Sequence, residues 1–218
     1  MNPNTIGIVF DCDSTLSTIE GIDELAELAG VGEAVKELTH AAMNGEIALE
    51  SVYHKRLELI RPNKALLRQI AQQYQQTLTP NAKALIQALL QKGYRLAIVS
   101  GGLQEAIEPL AQDLGIEHLF AVPISFDEHG AYAHTPNHPL TTARGKSTII
   151  QTWREALNLS RVVMIGDGMS DVAAKPSADK VIGYGGVVVR EQVRLQADEF
   201  VEEADMMQLL PIIEKLSQ

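Results

Sequence analysis

The sequence predicts an α/β fold: a Rossmann-like parallel sheet with helices on both faces and a helical bundle inserted near its start. Three observations point there. Short apolar runs at Ile6–Phe10, 94–99, 119–124, 161–165 and 181–182 alternate with amphipathic stretches, the pattern of strands buried on both faces. Several of these runs break off abruptly into acidic or small polar residues. From residue 19 to about residue 74, strand signals give way to continuous helical periodicity.

The first run, Ile6–Phe10, discharges into Asp11-Cys12-Asp13-Ser14-Thr15. Two carboxylates at the edge of an apolar core are costly unless a cation, hydrogen bonds or protons offset them. The expected occupant is Mg²⁺, a hard cation usually held by one or two carboxylates plus substrate phosphate. A helix cap at Asp13 or Ser14 would account for one such residue but not for the cluster. Cys12 is the single cysteine, so it has no internal disulfide partner, and strand alternation turns it away from its acidic neighbours as a small buried hydrophobe.

Four apolar stripes follow, through Ile22, Leu25, Ala26 and Leu28; Val35, Leu38 and Met43; Val52, Leu57, Leu59 and Ile60; and Leu66, Leu67 and Ile70. Gly30-Val31-Gly32, Asn44-Gly45 and Arg61-Pro62-Asn63 interrupt them as helix stops do. Beyond Thr79-Pro80, helix and strand alternate. Residues 81–92 read as a helix ending at Gly93, and 94–99 as a strand closing in Ser100-Gly101-Gly102. Residues 104–113 are helical, 119–124 strand-like, and 126–133 a hairpin around His129-Gly130. A helix over 147–157 leads to a strand over 161–165, which ends in Gly166-Asp167-Gly168. A short helix begins at 172–174, strands fall at 181–182 and 200–201, and a helix over 205–216 completes the pattern.

In open parallel sheets ligands bind beyond the carboxyl ends of the strands, so Asp11, Asp13, Ser100-Gly101 and Asp167 are expected in one crevice. Asp11, Asp13 and Asp167 offer oxygen ligands to a hard cation, while Ser100 and the amides before the 104–113 helix can receive an anion. Lys146 stands in the first turn of a predicted helix, where the helix dipole disfavours a cation by up to ~1 kcal/mol. An anionic partner would offset that cost; a solvated surface lysine is the alternative.

The formal charge of −10 leaves no basic stripe for nucleic acid or an anionic membrane. Met1-Asn2-Pro3-Asn4 lacks a secretory pattern, and no apolar run approaches membrane-spanning length. With one cysteine, these features lead to the expectation of a cytoplasmic protein.

Asp11-x-Asp13-Ser14-Thr15, then Ser100, then Lys146, then Gly166-Asp167-Gly168-x-x-Asp171 resemble, in order and placement, the motif set of the haloacid dehalogenase superfamily of phosphatases. The helical insertion directly after the first motif matches the subgroup with a small helical cap. The resemblance implies an α/β catalytic core at 1–16 and 76–218, with a cap over 17–75. Met43-Asn44-Gly45, Arg56-Leu57-x-Leu59-Ile60 and Gly183-Tyr184-Gly185-Gly186-x-Val188-Val189-Arg190-x-Gln192-Val193 extend it to members acting on a phosphorylated amino acid. Two positions depart from the pattern: Ser170, where Asn or Thr is usual, and Asn44, where glycine is common.

The resemblance also implies roles. Asp11 would be the nucleophile that forms an aspartyl phosphate, and Asp13 the general acid and then the general base. Asp11, Asp13 (through its carbonyl) and Asp167 would hold Mg²⁺. Ser100, Gly101 and Lys146 would bind phosphoryl oxygens, with Asp171 behind Lys146 or a metal-bound water. Glu20 and Arg56 match the ammonium and carboxylate of an amino acid, and Met43, Gly102, Ser170 and Arg190 complete the substrate set. Plainer roles stand beside these. Ser17-x-x-Glu20 is a capping-box pattern, Arg56 a solvated helix residue, Met43 a core filler and Arg190 the start of a surface helix. His134 and His138 have a zinc-like spacing, but Pro136 and Pro139 oppose a helix there and favour an exposed loop. The expected reaction is Mg²⁺-dependent hydrolysis of O-phosphoserine, by a monomer or homodimer. A relative using another small phosphorylated metabolite or a second acceptor alcohol, and a non-catalytic binding protein on the same fold, are the alternatives.

Overall fold

A computed structural model describes residues 5–43 and 49–216. Its strands are β1 (Ile6–Phe10), β2 (Arg95–Leu103), β3 (His118–Val122), β4 (Ser125–Phe126), β5 (Tyr132–His134), β6 (Arg161–Gly166), β7 (Lys180–Tyr184) and β8 (Glu199–Val201). Its helices are α1 (Gly21–Leu28), α2 (Gly32–Met43), α3 (Leu49–Ile60), α4 (Lys64–Gln76), α5 (Ala82–Gln91), α6 (Gln104–Leu114), α7 (Gly145–Leu157), α8 (Met169–Val172), α9 (Glu191–Gln196) and α10 (Leu209–Leu216).

Six strands form one sheet in the order β3-β2-β1-β6-β7-β8, and every pairing in it is parallel. β1 lies near the middle, with Ile8, Val9 and Phe10 wholly buried, which is why this run carries no alternating polar face. The chain builds leftward from β1 to β3, then returns to β1's other flank for β6, β7 and β8. Right-handed crossovers therefore put α5 and α6 on one face and α7, α8 and α9 on the other. α10 returns to pack on α5. The reversal of strand order falls at β1 and β6, where a crevice opens at the carboxyl end of the sheet. Phe10 pairs with Ile98 on one side and Ile165 on the other, so the residues after these three strands converge.

The strand starts, at the end of the sheet away from the crevice, are fastened by acids. Asp179, just before β7, accepts from Val162 N on β6 at 2.7 Å, and Asp198, just before β8, accepts from Val181 N on β7 at 2.8 Å. β4 and β5 form the expected hairpin, where Asp127 Oδ1 accepts from His129 N and Ala131 N across a turn with Gly130 at φ 77°.

Between β1 and α5, helices α1–α4 pack against one another, and α4 also leans on α6. The chain's exit to these helices and its return run side by side. Ser17 bridges Leu78, Thr79 N donates to Leu16 O at 3.0 Å, and the Ser17 and Thr77 hydroxyls are 2.7 Å apart.

Three local expectations change. β2 runs on through Ser100-Gly101-Gly102 to Leu103, its register with β3 slipping after Val99, because the glycines let the chain bend without losing extended geometry. α8 begins at Met169 rather than 172, since Asp171 Oδ2 accepts from Gly168 N and closes its first turn. α9 begins directly after Arg190, where a surface helix is the plainer reading, but its extent is not marked, because it buries one side chain, Val193, and so leaves no apolar stripe in the sequence.

Candidate active site

Asp11 follows the last residue of β1, and its backbone N–H still donates to Ile165 O at 2.9 Å, continuing the strand into the crevice. Its Oδ1 accepts from Cys12 N, and its Oδ2 lies 2.7 Å from Lys146 Nζ. Lys146 is 5% exposed, so it is no surface lysine. A second carboxylate, Asp171, holds the same ammonium at 2.5 Å. Burial would lower the Lys146 pKa, but Asp11 and Asp171 hold it above its ordinary value, so the side chain stays charged. Gly145 lets α7 start here, because a Cβ at that position would run into the Pro139 carbonyl.

From Cys12 to Leu16 the backbone makes one wide turn, with Ser14 at φ 48°. Cys12 is buried and free, as expected. The turn separates the two neighbouring aspartates. Asp13 faces away from Lys146, its Oδ1 accepting from Gly21 N at 2.8 Å and Tyr74 OH at 2.6 Å. Its Oδ2 lies 3.5 Å from Ser100 Oγ. Burial first, and the Asp11 charge second, push its pKa up to about 6 against these hydrogen bonds.

Ser100 is wholly buried and its Oγ accepts from Gly102 N at 3.0 Å. A Cβ at Gly102 would clash with Ile107 and crowd Asp13 Oδ2 and Ser100 Oγ, so this glycine keeps the crevice open. Gly101 O accepts from Tyr53 OH on α3 at 2.8 Å.

Asp167 follows β6. Its Oδ1 is 3.4 Å from Thr15 Oγ1, and its Oδ2 takes Arg190 Nε at 2.9 Å. Burial and the Asp11 charge raise its pKa, partly offset by Arg190. Arg190 immediately precedes α9 and also reaches Glu20 Oε1 at 3.4 Å. Ser14 Oγ donates to the same Glu20 oxygen at 2.7 Å. The capping-box reading of Glu20 fails: Glu20 is itself the residue before α1, makes no side-chain cap, and is drawn instead to Ser14 and Arg190. Its side chain is 47% exposed, yet burial of its carboxylate and then the Asp13 charge push its pKa up to about 8.

Arg56, on α3, sits over the Tyr53 ring at 5.8 Å, its Nε buried and without a hydrogen-bond partner. It is not the solvated residue that helix position alone suggests. Ser170 is half-buried beside Gly168. Met43 ends α2, but its side chain, like Asn44, lies outside the described residues. His134 is exposed, and His138 caps the turn Pro139–Thr141 through its Nδ1.

Oxygens of Asp11, Asp167 and Asp171 lie within 4.8 Å of one another. This all-oxygen donor set fits a hard divalent cation. The Asp13 carboxylate is turned toward Gly21 and Tyr74, which leaves the expected contact through its backbone carbonyl untouched, and both Asp171 oxygens already accept, from Lys146 and Gly168 N. Sequence reasoning did not find Tyr74, Tyr53 or Gly21, and it gave Thr15 a place in the first motif but no contact. Only the close approach at Gly21, where a Cβ would overlap the Tyr74 hydroxyl, explains its glycine, and it carries no motif.

A family model of haloacid dehalogenase-like hydrolases matches residues 7–179. The chain belongs to the haloacid dehalogenase-like hydrolases. The phosphoserine phosphatase of Bos taurus is 34% identical over 211 residues, covering 95% of this chain and 93% of that protein. The phosphoserine phosphatase of Lactococcus lactis subsp. lactis is 30% identical over 213 residues, 96% of each chain. A solved substrate-bound phosphoserine phosphatase complex superposes with a TM-score of 0.81 at 27% identity, covering 96% of this chain and 98% of that one. A phospho-aspartyl intermediate analogue of phosphoserine phosphatase gives a TM-score of 0.79 at 27% identity, covering 96% and 99%. In this haloacid dehalogenase-like hydrolase, no helix among the described residues is long and apolar enough to cross a membrane.

Proposed function

We propose that the chain is a Mg²⁺-dependent phosphoserine phosphatase that releases serine and phosphate through an aspartyl phosphate on Asp11. One observation carries the reading: where β1 ends beside β2, a carboxylate paired with a buried lysine, Asp11, adjoins a second carboxylate outside that pair, Asp13, and a buried hydroxyl, Ser100. The likeness to phosphoserine phosphatases over 95% of the chain supports the substrate.

Asp11 attacks phosphorus in line as the ester P–O bond breaks, and Asp13 gives a proton to the departing serine oxygen. Water then attacks the aspartyl phosphate, Asp13 takes its proton, and the bond to Asp11 breaks to restore the carboxylate. Ser100, the Gly101 amide and Lys146 hold the phosphoryl oxygens, and Asp171 keeps Lys146 in place. Mg²⁺ would be held by Asp11 and Asp167 with the Asp13 carbonyl, and when bound it neutralises phosphoryl charge.

Residues 17–75 act as the cap that closes over the amino-acid end of the substrate. Arg56, with no carboxylate partner among the described residues, takes the substrate carboxylate. Glu20 takes the ammonium through Oε2, since Oε1 is engaged by Ser14 and Arg190. Met43, Gly102 and Ser170 border the same space. Arg190 already holds two carboxylates, which favours orienting Glu20 and Asp167 over binding substrate directly. A single cysteine suits a reducing compartment such as the cytoplasm. One chain supplies every residue named, which is compatible with activity as a monomer or within a homodimer.

The test is phosphate release from a panel of phosphorylated small molecules, with Mg²⁺ or with chelator, and with or without acceptor alcohols. O-phosphoserine is expected to lead the panel, and Asp11→Asn to lose at least about a thousandfold in kcat. A fully active Asp11→Asn variant would end the mechanism, and poor turnover of phosphoserine would end the roles of Glu20 and Arg56.

A further inference from the structure

Asp13 receives its hydrogen bonds from an unexpected direction. Both donors to Oδ1 come from the helical segment: the Gly21 amide that opens α1 and the Tyr74 hydroxyl near the end of α4. Asp11, by contrast, is held by Cys12 N and by Lys146 at the start of α7. Tyr74 lies in the otherwise polar run Gln72-Gln73-Tyr74-Gln75-Gln76, yet it is 1% exposed and 61 residues from the acid it touches. A Cβ at position 21 would overlap the Tyr74 hydroxyl, so the glycine makes room for this contact.

Two donors on Oδ1 commit that oxygen to accepting, so a proton on the Asp13 carboxyl belongs on Oδ2. Oδ2 is the oxygen that faces Ser100 and Gly102. Resting on the reading of Asp13 as general acid, we propose that Tyr74 is a positioning residue, which together with the Gly21 amide sets the rotation of the Asp13 carboxyl so that Oδ2 presents its proton to the leaving oxygen. As the P–O bond breaks, its electron pair goes to the ester oxygen, that oxygen takes the Oδ2 proton, and Asp13 is left as a carboxylate with Oδ1 still hydrogen-bonded by Tyr74. A misaligned acid matters only where the leaving group needs a proton. The alkoxide of serine does, whereas 4-nitrophenolate leaves readily without one.

The test compares kcat/KM for O-phosphoserine and 4-nitrophenyl phosphate, a parameter that covers only the steps up to loss of the leaving group. Tyr74→Phe removes one oxygen and leaves the ring to fill its site. It is expected to lower kcat/KM about tenfold or more with phosphoserine and at most about threefold with 4-nitrophenyl phosphate, a fraction of the effect general acids exert. Because both substrates are read on one sample, their ratio does not depend on how much of the variant is folded. Asp13→Asn is the reference, expected to lose about a hundredfold or more with phosphoserine and far less with the activated ester. Equal losses of Tyr74→Phe on both substrates would make Tyr74 a packing residue and overturn the proposal, as would no loss on phosphoserine while Asp13→Asn is impaired. Full phosphoserine activity in Asp13→Asn would instead overturn the general-acid assignment on which the proposal rests.

Discussion

Lys146 shows how much a single side chain carries in this site. Its ammonium lies between Asp11 and Asp171, all three buried, and no other cation among the described residues is paired with either acid. Removing it leaves two carboxylates in a poorly solvated space. Lys146→Ala is expected to destabilise the metal-free protein by about 3–5 kcal/mol, the range for breaking one side of a buried ion pair. Urea titration measures this, and saturating Mg²⁺ should recover part of the loss by supplying charge to Asp11. A surface-like cost of under about 1 kcal/mol would contradict the buried geometry. Single residues were also where sequence reading was strongest. Asp11, Asp13, Ser100 and Asp167 stood out because each is a polar residue at the end of an apolar run, whereas Lys146 alone reads as a surface lysine and was singled out by its place in the motif order.

At the scale of elements, the sheet is aligned by side chains from its amino-terminal edge. Asp198 clamps Val181 N and pairs with Lys175 at 3.0 Å. Partial burial would raise its pKa, but these two partners outweigh it and hold the carboxyl below its ordinary range. A depressed folded pKa means that Asp198 adds stability above about pH 4, the unfolded value, and that this contribution fades as pH falls through the folded value. Asp198→Asn is therefore expected to cost more stability at pH 7 than at pH 3. Urea melts at the two pH values measure the difference, and a gap that is constant or larger in acid would refute it. Neither this clamp nor the extent of α9 was legible in the sequence. The clamp joins residues 17 apart through a sheet register that no local pattern encodes, and α9 has too little apolar surface to mark a helix.

Across the whole molecule, the crevice is short of positive charge. Asp11, Asp13, Glu20, Asp167 and Asp171 meet Lys146 and Arg190, in a chain whose net charge is already −10. The raised pKa values of Asp13, Glu20 and Asp167 have the same origin, burial among like charges. A divalent cation should therefore stabilise the fold. At a hundred times its dissociation constant the gain is about 2.7 kcal/mol, or roughly 5–10 °C in Tm for a domain of this size. Differential scanning fluorimetry with Mg²⁺ and with EDTA checks this, and Asp167→Asn should remove most of the shift. No shift in the parent chain would count against a metal at this site.

The sequence alone determined the α/β class, the helical insertion after β1 and the convergence of the strand-end residues. Apolar periodicity is local, and a parallel sheet has one end at which such residues gather. Only the tertiary structure decided how the acids divide. The wide turn after β1 sends Asp11 to Lys146 and Asp13 to Gly21 and Tyr74, and it brings Arg190 to Glu20 from 170 residues away. Those choices depend on side-chain direction and on contacts between distant elements, which spacing along a chain does not fix.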